Sequence, residues 1–137
     1  MKLQQEIATL ILRLVLGVGF LSAVASRLNF WGKQSSGWQN FITYTAQVNS
    51  FLPKSIIPSI AVMSTIVEFI LGILLIVGFK TNCASMAAAI LTLIFALAMT
   101  LSFGLKEPLD YSVFVFCAAA FLLTTFSNYR WSIDQLF

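Results

Sequence analysis

Four stretches of the chain are apolar at nearly every position, and polar residues gather between them and at the two ends. The stretches run over about 7–28, 56–78, 83–103 and 111–129. Each is close to the ~20 residues that a helix needs to cross a hydrocarbon core of roughly 30 Å. The segment over about 36–52 is different. There Trp38, Phe41, Ile42, Thr45, Val48 and Leu52 recur at three- and four-residue spacing. That spacing predicts a one-sided helix, too short and too polar to span. Trp31, Trp38, Tyr44 and Phe51 are of the types that settle at a lipid–water boundary. An ordered loop capping the bundle is the alternative for this segment. The pattern as a whole predicts an all-α membrane protein. Its architecture is a four-transmembrane-helix bundle with a short interfacial helix after the first span, in a single membrane domain over 1–137.

The breaks between stretches carry recognisable signals. Pro53 is expected to end the interfacial helix, and Pro58 is tolerated in the first turn of the second span. Gly78 falls near the end of that span, and residues 79–82 make a tight connection with Asn82 as the expected N-cap of the third. The third span stops at Gly104, and Asp110 is expected to cap the fourth. Ala84 with Ala88, and Ser85 with Ala89, give the small-residue spacing that lets membrane helices approach closely. The first stretch contains Ala23-Val24-Ala25, a cleavage-site form, but Glu6 and Arg13 interrupt the order of a signal peptide. It is therefore read as a span.

Composition supports the membrane reading and narrows the chemistry. Of 137 residues, 59% are hydrophobic and 9% charged, against roughly 25% charged in soluble domains. Eight Lys/Arg against five Asp/Glu are scattered singly, with no basic run to bind nucleic acid. Lys2, Lys80 and Arg130 fall on one side of a four-span bundle, and Arg27, Lys33, Lys54 and Lys106 on the other. These counts leave orientation undecided by charge. There is no His, and Cys83 and Cys117 form no C-x-x-C, so no metal site and no covalently bound cofactor is expected. Met63, Met86 and Met99 are read as packing residues. The absence of a P-loop, a dinucleotide fingerprint, a nucleophile elbow and H-E-x-x-H argues against self-contained hydrolysis or phosphoryl transfer.

The informative residues are the charges inside the spans. Arg13 and Glu68 each cost roughly 2.5–3.5 kcal/mol near a bilayer centre, so each should face the interior with a partner. Counted along the helices, both lie within about 9–15 Å of the same membrane face. An Arg13–Glu68 contact is therefore expected. Gly17 shares a face with Arg13, while Ser64 and Gly72 share one with Glu68, leaving room for a ligand or a close helix. Two readings stand: a carboxylate positioned by an arginine to bind a ligand or carry a proton, or an ion pair that only locks two helices. A second polar cluster of Arg27, Lys106, Glu107, Asp110 and Tyr111 lies toward the opposite face. It is either solvated loop charge with a helix cap or a polar mouth to the bundle, with Tyr111 as a donor.

Three segments carry a family resemblance. Residues 12–23 (LRLVLGVGFLSA), 68–81 (EFILGILLIVGFKT) and 104–113 (GLKEPLDYSV) together resemble DoxX-like membrane proteins in order and spacing. The resemblance implies a four-helix protein of the bacterial cytoplasmic membrane with both termini inside. Its relatives include the membrane subunit of thiosulfate:quinone oxidoreductase, and others are linked to redox or thiol metabolism. It thus implies quinone as the ligand and a small membrane subunit in quinone-linked redox metabolism, with electrons from a redox partner protein or a soluble reductant. No catalytic residue is assigned, and homo-oligomerisation is open. The alternatives are a non-catalytic membrane scaffold or assembly protein, and a protein that binds lipid or passes a small solute. Ser26 stands before Arg27 where this subgroup is expected to carry an acid, and the C-x-x-C of members tied to disulfide chemistry is missing.

Overall fold

A computed structural model describes residues 2–136. Helix α1 spans Leu3–Arg27, α2 Trp38–Val48, α3 Ile57–Val77, α4 Thr81–Phe103, α5 Lys106–Asp110 and α6 Val113–Leu123, with 3-10 turns at Gly32–Gln34, Lys54–Ile56 and Ile133–Leu136. Helices α1, α3 and α4 are long and apolar enough to cross a membrane. Their most apolar windows are only 33–39% buried. The remaining apolar surface, Leu101 at 74% exposure and Val115 at 68% among it, is far beyond what water tolerates on a monomer. The chain is a multi-pass membrane protein with a helical bundle.

The helices pair by their small residues. Helices α1 and α3 run antiparallel and cross where Gly17 meets Gly72. A Cβ on Gly17 would lie 2.9 Å from the carbonyl oxygen of Gly72, so the two backbones touch. Across the bundle α4 lies against α6 through the face bearing Ala84, Ser85, Ala88 and Ala89, all at 5% exposure or less. Leu16, Phe20, Leu71, Leu75, Ala120 and Leu123 fill the centre. Helix α2 sits over the end of the bundle where α3 begins and α4 ends. It is fixed there by a small cluster of Val48, Ala98 and Met99, a Tyr44–Phe103 ring stack at 6.3 Å, and a Ser102 hydroxyl donating to the Val48 carbonyl.

Several local expectations hold, and four are corrected. Gly78 ends α3 in the left-handed conformation at φ +74°, and Gly104 ends α4. The one-sided segment is helical from Trp38, but it stops at Val48, well before Pro53. Asn82 does not cap α4. The Asp134 carboxylate accepts from the backbone N–H of Lys80 (2.6 Å) and Thr81 (2.8 Å), while Asn82 donates to Thr124 O. Asp110 does not cap the last helix either. It closes α5, and the chain enters α6 through Ser112 at φ +58°. Helix α6 has 11 residues, shorter than the stretch over 111–129 suggests. Thr124 and Thr125 turn their hydroxyls back onto Phe121 and Leu122 carbonyls, and the Tyr129 hydroxyl donates to Leu123 O at 2.8 Å. These bonds compete with helix continuation, and the C-terminal segment folds over the end of the bundle instead.

Candidate functional site

The site begins with a direction set by helix geometry. Every Cα–Cβ bond in an α-helix tilts toward the N-terminus of that helix, so a long side chain covers the turn before its own Cα. In α1 and α3, which are antiparallel, the Arg27 side chain runs back toward the bundle centre while Glu68 leans toward Thr65. The two meet: Arg27 Nη1 donates to Glu68 Oε2, and also to Thr65 Oγ1 at 3.0 Å. The Arg27 guanidinium carbon lies over the Phe41 ring of α2, 3.7 Å from its centroid. Arg27 is 8% exposed and Glu68 4%. A paired, hydrogen-bonded and stacked guanidinium is the form in which such a charge is tolerated within a membrane.

The expected Arg13–Glu68 contact is absent. Arg13 lies against Gly78, ten residues beyond Glu68 on α3 and so about 15 Å farther along. Its side chain leans toward the chain termini and donates from Nη2 to the carbonyl of Trp131 at 2.8 Å. Comparing backbone depths placed the two charges within reach, but the N-terminal lean of the arginine carries it the other way. Gly17 and Gly72 form the helix crossing, each lying against the other's backbone. Of the residues singled out in the sequence, Glu68, Ser64, Arg27 and Tyr111 come together. Lys106 and Asp110 pair with each other on the exposed surface. Cys83 and Cys117 are both free, and Cys117 donates to Ala89 O.

Beside the Arg27–Glu68 pair lies a chamber of about 230 Å³ under α2. Arg27, Tyr44, Asn49, Ser64 and Tyr111 give it polar groups, and Phe41, Ile60, Phe95, Met99 and Val113 are among the residues that make the rest of its wall apolar. Tyr44 stays a donor: burial, with the nearby Tyr111 and Glu107, raises its hydroxyl above the ordinary phenol value. The α2 contribution was visible in the sequence only as an amphipathic stripe, in which Phe41, Thr45 and Val48 look the same whether they face a core or a ligand. Thr65, one turn before Glu68, carries a sharper signal, a hydroxyl at the spacing that lets it share the arginine with the carboxylate. The chemistry available is that of a small, largely apolar room with hydrogen-bond donors, one of which, Arg27, is bonded to a buried carboxyl group beside it.

A family model described as DoxX matches residues 8–101, which include Arg13, Arg27, Ser64 and Glu68. No curated protein and no solved structure matches the chain.

Proposed function

The chain belongs to the DoxX family, and from that premise we propose that it binds a quinone head group beside Arg27 and Glu68 and serves quinone-linked redox metabolism as a small membrane subunit. The observation that carries this reading is the juxtaposition of a buried arginine–carboxyl pair with an aromatic-walled apolar chamber. A quinone ring is flat and apolar and has two carbonyl acceptors at its ends; its reduction takes up two electrons and two protons. Arg27, Tyr44 and Tyr111 supply donors for those acceptors, Phe41 and Phe95 supply ring-stacking faces, and Glu68, bonded to Arg27 and lining the adjoining groove, is a group that can hold a proton. A chain without His and without C-x-x-C leaves the electrons to a separate redox protein or a soluble reductant. The same reading puts the protein in the bacterial cytoplasmic membrane with both termini inside. Helix α6 and its flanking turns complete a fourth crossing.

The test is mass spectrometry of small molecules that co-purify in mild detergent with the wild type and with Glu68→Gln. Quinone retained by the wild type and lost from the variant supports the reading. Quinone absent from both overturns it and leaves the pair as a helix lock in a scaffold protein.

A further inference from the structure

The chamber is too small for a quinone together with a hydrocarbon tail. Its volume of about 230 Å³ falls below the roughly 300–1,000 Å³ of sites that enclose a complete ligand, so it suits a head group whose remainder must leave through an opening. Two lipid-facing grooves adjoin it. One, of about 350 Å³, lies between α3 and α4 along Met63, Val67 and Ile94, and meets the chamber at Ile60, Ser64 and Phe95. No charged residue lines it. The other, of about 410 Å³, lies between α1 and α6 and shares Phe95, Tyr111 and Val113 with the chamber. Glu68 stands in its wall.

The α1–α6 groove follows from how the bundle pairs. Helix α1 gives its close-packed glycine face to α3, and α4 packs along α6, so α1 and α6 meet mainly where Phe20 and Phe116 touch edge to face at 5.1 Å. Beside that contact Gly19, Ala23 and Ala119 present almost no side chain, and Val15 and Val115 stand exposed at the rims. The result is an apolar trough open sideways to lipid that ends at a carboxyl group.

Resting on the quinone reading, we propose that the α1–α6 groove is the lateral entrance of the site and holds the ligand's hydrocarbon tail. The site is then built for a tail-bearing quinone dissolved in the membrane, not for a water-soluble ring. In lipid the tail gains little from leaving its solvent, so the groove acts through van der Waals fit and alignment of the head group.

The experiment measures binding of two quinones with one head group, one carrying several isoprene units and one with no tail, to the full chain in lipid nanodiscs. Wild type is compared with Ala119→Trp in the groove, Val115→Trp at its exposed rim and Val67→Trp in the α3–α4 groove. Because Val115 faces outward, its variant keeps the test alive if Ala119→Trp fails to fold. The expected result is a loss of about tenfold for the tailed quinone in the α1–α6 variants, on the scale of a few well-packed ligand atoms, with tail-less binding within about twofold. Val67→Trp should change neither. Tailed binding reduced by Val67→Trp alone, or both quinones weakened equally by the α1–α6 variants, overturns the assignment. Failure of the wild type to bind either quinone overturns the quinone reading itself, and the groove assignment falls with it.

Discussion

Arg27, the last residue of α1, reaches back along its own helix to pair with Glu68 in the middle of α3, forty-one residues away. The pair ties two spans together and forms the polar edge of the chamber. Removing one partner leaves an uncompensated charge in a medium of low polarity, which costs about 3–5 kcal/mol. Arg27→Met and Glu68→Leu should each destabilise the protein on that scale in detergent unfolding. The double variant should recover most of the loss, because it removes the stranded charge. Arg13→Met combined with Glu68→Leu should show simple additivity, as expected for residues that do not touch.

What was legible in the sequence, and what was not, divides along a physical line. Local signals worked: the apolar stretches, the amphipathic run from Trp38, Gly78 near the end of α3 and the small-residue face of α4 are all properties of neighbouring residues. The partner of Glu68 was not legible from depth alone. Arg13 and Arg27 are both long cations on α1, and only the N-terminal lean of helical side chains separates one that climbs away from Glu68 from one that reaches it. Asp134 caps α4 from more than fifty residues away, so no local pattern announces it. The cluster of Arg27 with Lys106 and Asp110 allowed either solvated loop charge or a polar mouth; burial splits it, with Arg27 inside and the lysine–aspartate pair outside.

The glycine crossing predicts a graded response to one added methyl group. At Gly17 that group would meet Ile76 Cγ1 at 2.6 Å and the Gly72 backbone carbonyl at 2.9 Å, so the helices must part. Gly17→Ala should cost about 1–3 kcal/mol. Gly19→Ala meets only the edge of the Phe116 ring at 3.2 Å and should cost less. Thermal unfolding of the two variants side by side checks the order.

The C-terminal clamp should depend on pH. Burial disfavours ionisation of Asp134, yet hydrogen bonds from Thr81 and Lys80, with the charge of Arg13, outweigh it and hold the carboxyl below its ordinary value. A folded-state value depressed in this way gives stability that is present above the unfolded value and lost as pH falls through the folded one. Protection of the backbone amides over residues 130–136, expressed relative to the intrinsic exchange rate at each pH, should therefore be high at neutral pH and fall as pH drops below about 4. Asp134→Asn should show low protection there at pH 7, with little further change in acid.

The chamber donors should contribute modestly and separately from stability. Tyr44→Phe and Tyr111→Phe each delete one hydroxyl while keeping the ring. Each should weaken quinone binding about 2- to 10-fold, the worth of one hydrogen bond. Unfolding midpoints should stay near wild type, since Tyr111 is 66% exposed. Binding titrations paired with melting curves separate the two effects.

The most direct measurement is photolabelling in native membranes with a quinone analogue carrying a photoreactive group on its ring, followed by peptide mapping. The expected result is labelling of the chamber wall, in the peptides holding Phe41–Asn49, Ile60–Glu68 and Phe95–Met99, that excess unlabelled quinone competes away and Glu68→Gln abolishes. Labelling that is spread along the lipid-facing surfaces, or that persists in Glu68→Gln and under competition, would contradict a quinone site at the Arg27–Glu68 pair.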